Sequence, residues 1–481
     1  MRLAEVIGEL DPSGTEGDLS VEITRVDYDS RRVEPGSLFC CIPGASFDGH
    51  AFAAEAVGKG AAALVVERPV RPGAPVPVVR VCDSRRAMGL AAATFWGHPS
   101  RSMDVVGVTG TNGKTTTVAL LANVLREARR SVEILGTLTG ERTTPESPDL
   151  QEQLAAWRDG GVDSVAMEVS SHALTLERVS GMHFRVAVFT NLSRDHLDFH
   201  HTVEAYFEAK ARLFRPELSE VAVVNLDSPH GRLLRDASEI PVTGYSLGDV
   251  EELELGLRGS TFRWRGQLVR LPLVGAFNVS NALAAAGAGL VLGLDEAVIA
   301  RGLSQPLVVP GRFEVVDEGQ PFSVVVDFAH TPDGLEQVLG TARGLIRAGG
   351  SLVVVFGCGG QRDPGKRPAM GEVAARLADR VVLTADNSRG EQTGAIIDAI
   401  REGFDRAVER RAAQLVVEPD RRAAIAGALE AAQPGDVVVV AGKGHERTIT
   451  LGSDPVPFDD REVAREELRR IGRERGEAWS G

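Results

Sequence analysis

Two patterns of apolar residues alternate through the middle of this chain. Short apolar runs predict buried strands, and longer stretches with helical spacing predict helices. Strands are expected at 104–109, 132–138, 164–170, 186–191 and 221–226, and helices near 115–129, 149–159, 202–214 and 278–293. This alternation predicts a mostly parallel sheet covered by helices on both faces. Between residues 251 and 274 apolar residues alternate singly, as at Leu253, Leu255 and Leu257, which predicts an antiparallel ribbon.

The regions on either side carry patterns of their own. Before residue 99, a helix-like stretch at 51–59 leads to apolar runs at 62–66 and 78–82, separated by a Pro-rich loop. After residue 311, apolar runs recur at 323–327, 352–356, 380–384, 415–417 and 436–440, with helices between them. This second series predicts an open, doubly wound, Rossmann-like domain. The predicted fold class is therefore α/β, with three domains at 1–98, 99–308 and 309–481.

Length and charge agree with this organisation and restrict the partners. A chain of 481 residues is too long for one core, and 43% apolar with 25% charged residues is typical of a soluble globular protein. The 53 basic and 67 acidic residues give a net charge of −14, which predicts no general attraction for nucleic acid or an anionic membrane. The four cysteines form no C-x-x-C pattern, and we find no signal peptide and no apolar run of membrane-spanning length. We expect a cytoplasmic protein.

The run Gly110-Thr-Asn-Gly-Lys-Thr-Thr116 follows the strand at 104–109 and opens a helix. Its glycines let backbone N–H groups surround a polyphosphate, and the helix start adds a positive dipole. Lys114 can reach the outer phosphates, and the Thr115 hydroxyl can bind Mg²⁺. Val108 stands where the strict spacing has Gly, so the loop is a variant, and a turn without a ligand is the alternative. Gly-Lys-Thr-Thr behind an apolar strand favours a nucleoside triphosphate and a P-loop-type central domain.

Polar residues after other strands could complete such a site. Glu168 lies where ligands collect in open α/β sheets, although a solvent-facing acid is an equal alternative. The segment 191–201 is rich in acids and histidines, including His196, but has no zinc spacing. Mg²⁺ bound to phosphate prefers oxygen ligands, so a histidine would be a secondary partner. Lys210, within a predicted helix, is first interpreted as a solvated lysine.

Four charged loops follow strands of the C-terminal region, at 327–333, 357–367, 386–389 and 442–446. Because the carboxyl ends of parallel strands meet at one sheet edge, these loops could converge on one crevice. Their mixture of basic and acidic side chains suits a zwitterionic ligand. The alternative is that they are ordinary turns.

Together these segments resemble the Mur ligases of peptidoglycan precursor synthesis. The resemblance rests on 110–116, 168–172, 191–198 and 327–333, and the later loops are similar to the MurE branch, which adds the third residue of the peptide. It implies an N-terminal domain for the UDP end, a central ATPase domain and a C-terminal domain for the amino acid. The implied reaction uses ATP to convert the D-Glu γ-carboxylate of UDP-N-acetylmuramoyl-L-alanyl-D-glutamate into an acyl phosphate. An amine of meso-2,6-diaminopimelate then attacks it; Mg²⁺ is the expected cofactor, and a monomer is expected.

The resemblance also implies roles for individual residues. Catalytic roles are implied for Lys114, Glu168, His196 and Lys210. The implied metal ligands are Thr115, Glu168, His196 and Lys210, the last as a carbamate. The implied ATP-binding residues are Gly110, Thr111, Asn112, Gly113, Lys114, Thr115, Thr116, Asn278, Arg312 and Asp327. Those implied for the UDP-substrate are Ser30, Ala45, Ser46, Phe47, Thr143, Thr144, Ser170, Leu176 and Arg178. Those implied for diaminopimelate are Arg362, Asp386, Asn387, Ser388, Arg389, Gly442 and Glu446.

Two positions depart from the family's pattern, and three alternatives stay open. Leu176 stands where the family often has Gln, and Ser388 where it usually has Pro. Arg389 could grip the second carboxylate of diaminopimelate, which favours that substrate over the L-lysine of other third-residue ligases. A ligase like folylpolyglutamate synthetase would share the ATP loop but not the loop at 386–389. A non-catalytic nucleotide sensor would not need Lys210.

Overall fold

The computed structural model describes residues 1–44, 47–256, 258–347, 349–411 and 414–474. The N-terminal sheet has the order β1-β5-β4-β3-β2, parallel except for β1. Its strands are β1 (Gly14–Glu16), β2 (Arg25–Asp27), β3 (Ser37–Cys40), β4 (Ala63–Val66) and β5 (Val78–Arg80), and its helices are α1 (Leu3–Val6), α2 (Ala53–Gly58) and α3 (Ser84–Phe95). The helix predicted at 51–59 begins with a 3₁₀ turn, Gly49–Phe52. Helix α3 is the element that contacts the central domain most closely.

The central sheet is parallel throughout, in the order β11-β10-β9-β6-β8-β7. Its strands are β6 (Asp104–Thr109), β7 (Val132–Leu135), β8 (Ser164–Glu168), β9 (Phe184–Phe189), β10 (Ser219–Asn225) and β11 (Val242–Tyr245). Its helices are α4 (Lys114–Glu127), α5 (Ser147–Asp159), α6 (Ser171–Thr175), α7 (Leu197–His200), α8 (Val203–Ala211), α9 (Pro229–Ala237), α10 (Ala276–Val291) and α11 (Glu296–Leu303). Apolar clusters cover both faces of this sheet, as parallel sheets require.

The predicted ribbon is present as an antiparallel sheet of β12 (Val250–Gly256), β13 (Gly259–Trp264) and β14 (Gln267–Leu271). Leu257, part of that predicted pattern, lies outside the described residues. The strand expected at 132–138 ends at Leu135, because Gly136 and Thr139 bond to each other in a turn. The helix expected at 202–214 ends at Ala211 and continues as a 3₁₀ turn.

The C-terminal sheet has the order β15-β16-β20-β17-β18-β19, parallel except for the edge strand β15. Its strands are β15 (Glu314–Val316), β16 (Ser323–Asp327), β17 (Leu352–Phe356), β18 (Arg380–Leu383), β19 (Gln414–Val417) and β20 (Val437–Ala441), followed by a hairpin of β21 (Thr448–Thr450) and β22 (Pro455–Pro457). Its helices are α12 (Pro332–Arg343), α13 (Lys366–Leu377), α14 (Thr393–Arg406), α15 (Arg421–Glu430) and α16 (Asp460–Glu474). The predicted α/β class is confirmed. Because β16, β20, β17 and β18 are neighbours, the four charged loops that follow them share one sheet edge.

Within the described ranges, none of the helices combines the length and apolar character that a membrane crossing requires.

Candidate active site

The phosphate loop lies between β6 and α4, as predicted. Gly110 and Gly113 both have positive φ, of 149° and 88°. A Cβ atom at Gly110 would lie 1.9 Å from Thr190 Oγ1, and one at Gly113 would lie 2.2 Å from Asn281 Oδ1. Both glycines are therefore required by space as well as by conformation.

Lys114 folds back onto this loop. Its Nζ donates to the carbonyl oxygens of Gly110 (2.8 Å) and Thr111 (2.9 Å), and burial lowers the pKa of its ammonium. The Asn112 N–H donates to Asn191 Oδ1 at 2.9 Å, so the segment after β9 supports the loop from the other side. Thr115 and Thr116 are buried in the first turn of α4.

Lys210 on α8 is not a solvated lysine. Its side chain is buried against the Tyr206 ring, 4.5 Å from the ring centroid, and its Nζ donates to Gly110 O at 2.9 Å. Burial and the nearby Lys114 hold the pKa of its amine well below the usual range. Two lysines thus converge on one carbonyl of the phosphate loop, and the first interpretation of Lys210 was wrong.

Glu168, at the end of β8, is buried rather than solvent-facing. Its Oε1 accepts from the Thr137 N–H at 2.9 Å and its Oε2 from the Thr137 hydroxyl at 3.2 Å. A Cβ atom at Gly136 would lie 2.4 Å from Glu168 Oε1, so this glycine leaves room for the carboxylate. The structure therefore excludes the interpretation of Glu168 as a surface acid.

His196 begins α7 with a left-handed backbone, φ 54°. Its ring meets the His172 ring edge-on at 4.9 Å. Burial lowers its pKa to about 3, although the adjacent Asp195 opposes this shift. The imidazole is therefore neutral at neutral pH and has a lone pair for a metal or a proton. Among the described residues, no three His, Cys, Asp or Glu side chains group closely enough to hold a metal by themselves.

A cavity of about 370 Å³ opens beside the phosphate loop, between the central and C-terminal domains. Arg312 lies in its wall, with Nη2 donating to Thr115 Oγ1 at 3.2 Å and its guanidinium 4.5 Å from the Phe328 ring centroid. Asp327 accepts from the Phe313 N–H (2.6 Å) and the Ala329 N–H (2.7 Å). Burial raises the pKa of its carboxyl, although Arg312 opposes this shift.

Asn278, an expected ATP-binding residue, has its side-chain amide bonded within its own segment of the chain. Its Nδ2 donates to Val274 O at 2.9 Å, and its Oδ1 accepts from Asn281 Nδ2 at 3.2 Å. Asn281, rather than Asn278, lines the cavity. Sequence reasoning missed Asn281, although a second Asn one turn along an Ala-rich helix was a signal. It also missed Asn225, a polar residue that ends β10 beside the same cavity.

Four of the residues expected at the UDP-substrate come together beside Glu168. The Thr144 hydroxyl donates to Glu168 O at 3.0 Å and accepts from the Ser170 N–H at 3.2 Å. Arg178 Nη1 donates to Thr144 O at 3.2 Å. The Thr143 hydroxyl lies 3.1 Å from the Thr137 hydroxyl, and the Thr137 hydroxyl in turn donates to Glu168 Oε2.

The remaining expected UDP-substrate residues are more scattered. Ser30 lies on the N-terminal domain, where its hydroxyl donates to Glu55 at 3.2 Å. Phe47 is exposed, and Ala45 and Ser46 lie outside the described residues. Leu176 caps the end of α6, where its N–H donates to His172 O.

The residues expected at diaminopimelate gather at the C-terminal sheet edge. Asn387 Nδ2 donates to Glu446 Oε2 at 2.8 Å, and a Cβ atom at Gly442 would lie 2.7 Å from Asp386 Oδ2. Burial opposes ionisation of Asp386, but nearby cations, Arg421 foremost, lower the pKa of its carboxyl. The buried Lys443, which sequence reasoning left out of this site, donates to Glu446 Oε2 at 2.7 Å.

The two arginines of this set lie on facing loops. Arg389 has φ 51°, and its Nη1 donates to Gly360 O at 2.8 Å. Its hydrogen bonds to the described residues both use Nη1, so Nε and Nη2 are available to a ligand carboxylate. Arg362 lies 3.8 Å from Asp198 of the central domain. Ser388, which directly precedes Arg389, is buried. A Cβ atom at Gly360 would contact its carbonyl oxygen.

Comparison with known proteins covers nearly all of this architecture. Residues 22–96 match the model described as "Mur ligase family, catalytic domain", residues 108–289 match "Mur ligase middle domain", and residues 311–444 match "Mur ligase, glutamate ligase domain". A protein of Syntrophomonas wolfei named UDP-N-acetylmuramoyl-L-alanyl-D-glutamate--2,6-diaminopimelate ligase is 44% identical, over 98% of this chain and 99% of its own. The chain belongs to the Mur ligase family.

Two further relatives of this Mur ligase agree. A protein of the same name from Geobacillus kaustophilus is 44% identical over 94% of this chain and 96% of its own. A solved structure titled with that name superposes with a TM-score of 0.68 and 33% identity, covering 98% of this chain and 99% of the other. The family resemblance expected from the sequence is therefore confirmed.

In this Mur ligase the central and C-terminal domains meet through paired charges beside the phosphate loop. Arg194 Nε and Nη2 bind the two carboxylate oxygens of Asp363 at 2.9 and 3.1 Å. Lys366 Nζ lies 3.8 Å from the buried Asp195. Burial opposes ionisation of Asp195, but its hydrogen bond with His330 and the nearby Lys366 hold the pKa of its carboxyl well below the usual range. The two residues that precede His196 are thereby tied to the segment 357–367, which carries Arg362.

Proposed function

We propose that this Mur ligase uses ATP to join meso-2,6-diaminopimelate to UDP-N-acetylmuramoyl-L-alanyl-D-glutamate in peptidoglycan precursor synthesis. The observation that carries the proposal is that two features face each other across one domain boundary. The phosphate loop lies on the central side, and the charged loops that would bind the amino acid lie on the C-terminal side. The segment 191–198 contacts both: Asn191 supports the loop, and Arg194 binds Asp363 next to Arg362. The names of near-full-length relatives at 44% identity support the same substrates.

In this proposal the domains at 1–98, 99–308 and 309–481 hold the UDP end, the ATP and the amino acid. The γ-carboxylate oxygen attacks the γ-phosphorus of ATP, and the bond to ADP breaks. The free amine then attacks the acyl carbon, phosphate leaves, and the amide loses a proton. A carboxylate is unreactive towards amines until phosphate becomes its leaving group, so the enzyme's main tasks are positioning and charge neutralisation.

The donor set beside the phosphate loop fits Mg²⁺. Thr115, Glu168 and His196 would hold it, and when bound it would neutralise phosphate charge. Lys210 fits best in a modified form, since an ammonium group would repel a cation, whereas a carbamate would supply the oxygen ligands that Mg²⁺ prefers. Its lowered pKa supplies the neutral amine that CO₂ needs: the nitrogen adds to carbon, a proton leaves, and a carbamate forms. We propose that Lys210 is carbamylated and that its carbamate carboxylate faces Lys114.

Three cavity contacts would seat the nucleotide. Arg312 and Asp327 meet it from the C-terminal domain and Asn281 from α10, with Asn278 holding Asn281 in place. We propose that the enzyme acts in the cytoplasm as a monomer, without nucleic acid or membrane partners. Its acidic net charge supports this proposal.

We assign the choice of amino acid to Arg389. A guanidinium that grips the second carboxylate of diaminopimelate would be left unpaired by L-lysine, so lysine should be rejected. The test compares meso-diaminopimelate, L-lysine and L-ornithine with the UDP-dipeptide and ATP. Of the three amino acids, we expect only diaminopimelate to give rapid phosphate release. Faster release with lysine than with diaminopimelate would refute this specificity.

Two controls separate the ligase from its rivals. Arg389→Ala should raise the diaminopimelate KM far more than the ATP KM, whereas the exposed Arg406→Ala should change neither. Phosphate release that needs neither the UDP-dipeptide nor an amino acid would favour a nucleotide sensor. Release with a folate substrate in place of the UDP-dipeptide would favour the folylpolyglutamate-synthetase alternative.

A further inference from the structure

A cluster of arginines surrounds one buried carboxylate at the boundary of the N-terminal and central domains. Glu146 directly precedes α5, and its side chain is only 5% exposed. Arg142 Nη1 lies 2.6 Å and Arg178 Nε 2.9 Å from its Oε1, and Arg85 Nη1 lies 3.4 Å from its Oε2. Arg85 comes from α3 of the N-terminal domain, so the cluster spans both domains.

Positive charge is in excess in this cluster. The next carboxylate along α5, Asp149, is already engaged by Arg32 Nη1 and the Tyr28 hydroxyl, both at 2.7 Å. Among the described residues, no acid other than Glu146 pairs with the three arginines. One carboxylate therefore faces three guanidiniums.

Arg85 and Arg178 are the least exposed arginines of the cluster, so an additional anion would stabilise them most. The side chains of Arg85 and Arg178 are 18% and 14% exposed, and buried charge is costly unless it is compensated. Arg178 Nε lies close to Glu146 but out of line for a hydrogen bond, so this donor remains unsatisfied. Burial lowers the pKa of Arg178 and, although Glu146 opposes the shift, the other two arginines lower it further.

The cluster is adjacent to the reacting centre. Arg178 Nη1 donates to Thr144 O, and the Thr144 hydroxyl donates to the backbone of Glu168. The arginines and Glu146 thus form a continuous line of contacts from α3 of the N-terminal domain to Thr144 beside Glu168. Besides its reacting γ-carboxylate, the proposed donor carries two anionic groups: the pyrophosphate and the α-carboxylate of D-Glu.

We propose that Arg85 and Arg142 join Arg178 in an oxyanion-binding subsite for the acyl donor, and that Arg85 carries this recognition across the domain boundary. The inference rests on the proposed function, since it names a contact of the same substrate. Glu146 holds the guanidiniums in place, and the bound oxyanion supplies the missing negative charge. Arginine suits this role because its fork binds carboxylate or phosphate oxygens in pairs.

The test compares Arg85→Gln with Arg86→Gln, a matched control that removes an exposed arginine at the next position of α3. Calorimetry measures the affinity of each variant for UDP-N-acetylmuramoyl-L-alanyl-D-glutamate and for ATP. Loss of a charge-assisted hydrogen bond should weaken binding of the UDP-dipeptide by about 10- to 100-fold in Arg85→Gln. ATP affinity should not change, and Arg86→Gln should bind both ligands like the unaltered enzyme.

Two truncated ligands identify the oxyanion. If it is the α-carboxylate, Arg85→Gln should bind the D-isoglutamine analogue, whose α-carboxyl is an amide, as well as the unaltered enzyme does. If it is the pyrophosphate, Arg85→Gln should also lose affinity for UDP-N-acetylmuramoyl-L-alanine. Either result supports the subsite.

Unchanged UDP-dipeptide affinity in Arg85→Gln overturns the inference and leaves the proposed function intact. An unaltered enzyme that binds no UDP-dipeptide and performs no ligation overturns the proposed function, and the subsite with it. If Arg85→Gln does not fold, Arg142→Gln takes its place, because the Arg142 side chain is half-exposed and its removal leaves the domain boundary packed. It should weaken UDP-dipeptide binding in the same selective way, and unchanged affinity would again overturn the inference.

Discussion

The central domain meets its two neighbours through boundaries of opposite electrostatic design. At the amino-terminal seam, defined by Arg85, Arg142, Glu146 and Arg178, three guanidiniums share one carboxylate. At the carboxy-terminal seam each of three lysine or arginine side chains has a carboxylate of its own. Its pairs are Arg194 with Asp363, Lys366 with Asp195, and Arg362 with Asp198. A matched boundary can fix two domains by itself, whereas an unmatched one is completed by an anion from outside.

This difference suits a ligase with two kinds of substrate. In our proposal the acyl donor is an anion that crosses the amino-terminal seam, so a surplus of positive charge there would contribute to its binding. The carboxy-terminal seam has another task, because His196 and Arg362 lie on its two sides. If the proposed function holds, its pairs would set the distance between the phosphoryl centre and the incoming amine, and rate depends steeply on that alignment.

The largest effect should come from breaking the bidentate pair of the carboxy-terminal seam. We expect Arg194→Ala or Asp363→Ala alone to lower kcat/KM for the amino acid by about 10- to 100-fold, because the partner is left unpaired beside the site. The double variant should be no worse than either single one, since the pair acts as a unit. Steady-state kinetics with the exposed Arg235→Ala as control measures this. Losses that simply multiply in the double variant would contradict a positioning role.

At the amino-terminal seam the matched contact is Asp149, which binds Tyr28 and Arg32 of the N-terminal domain. Asp149→Ala should lower the free energy of unfolding by about 1–2 kcal/mol, because the half-buried Tyr28 hydroxyl and the Arg32 guanidinium lose their charged acceptor. Binding of ATP should be unaffected. Chemical denaturation followed by circular dichroism measures the change, with the exposed Asp159→Ala on the same helix as control. An unchanged unfolding midpoint would mean that the Asp149 contacts do not stabilise the docking of this domain.

The sequence predicted the parts of this molecule that local pattern controls. Alternating apolar runs gave the order of strands and helices in both large domains, because a buried parallel strand must be apolar throughout. The phosphate loop was predicted equally well, since its glycines are forced by contacts such as Gly110 against Thr190.

What the sequence could not give depends on contacts between distant segments. Lys210 was first interpreted as solvated because helical spacing alone does not reveal that a lysine points at Gly110, a hundred positions earlier. Asn281 was missed because only the folded chain brings α10 to the phosphate loop. The arginine surplus was invisible for the same reason, since Arg85 and Arg178 come from different domains.

A smaller effect should follow when the carboxy-terminal seam is disturbed without changing any charge. A Cβ atom at Gly365 would lie 2.2 Å from Arg194 Nη2, so Gly365→Ala must displace the guanidinium that binds Asp363. We expect kcat/KM for the amino acid to fall, but less than in Arg194→Ala, because a flexible arginine can retain part of its ion pair. The same kinetic assay measures it, and Gly340→Ala on α12, where a Cβ meets open space, is the control. A loss as large as that of Arg194→Ala would mean that the loop backbone, rather than the ion pair, carries the effect.

The smallest effect should be the contribution of His445, near the carboxy-terminal seam, to the pH dependence of stability. Burial, and then Arg312 and Arg461, lower its pKa from 6.5 to about 4. As pH falls from about 6.5 towards 4, His445 is protonated in the unfolded chain but stays neutral in the folded chain. The contribution of the neutral His445 to stability is therefore complete above this range and is lost as pH falls through it. His445→Gln should remove this contribution, giving a flatter dependence of Tm on pH than either the unaltered enzyme or the control His230→Gln. An equally steep curve would assign the acid sensitivity to other groups. Protonating His445 would also give this side of the molecule a surplus of positive charge like that of the amino-terminal seam, but without an incoming anion to offset it, so the enzyme is more stable with His445 neutral.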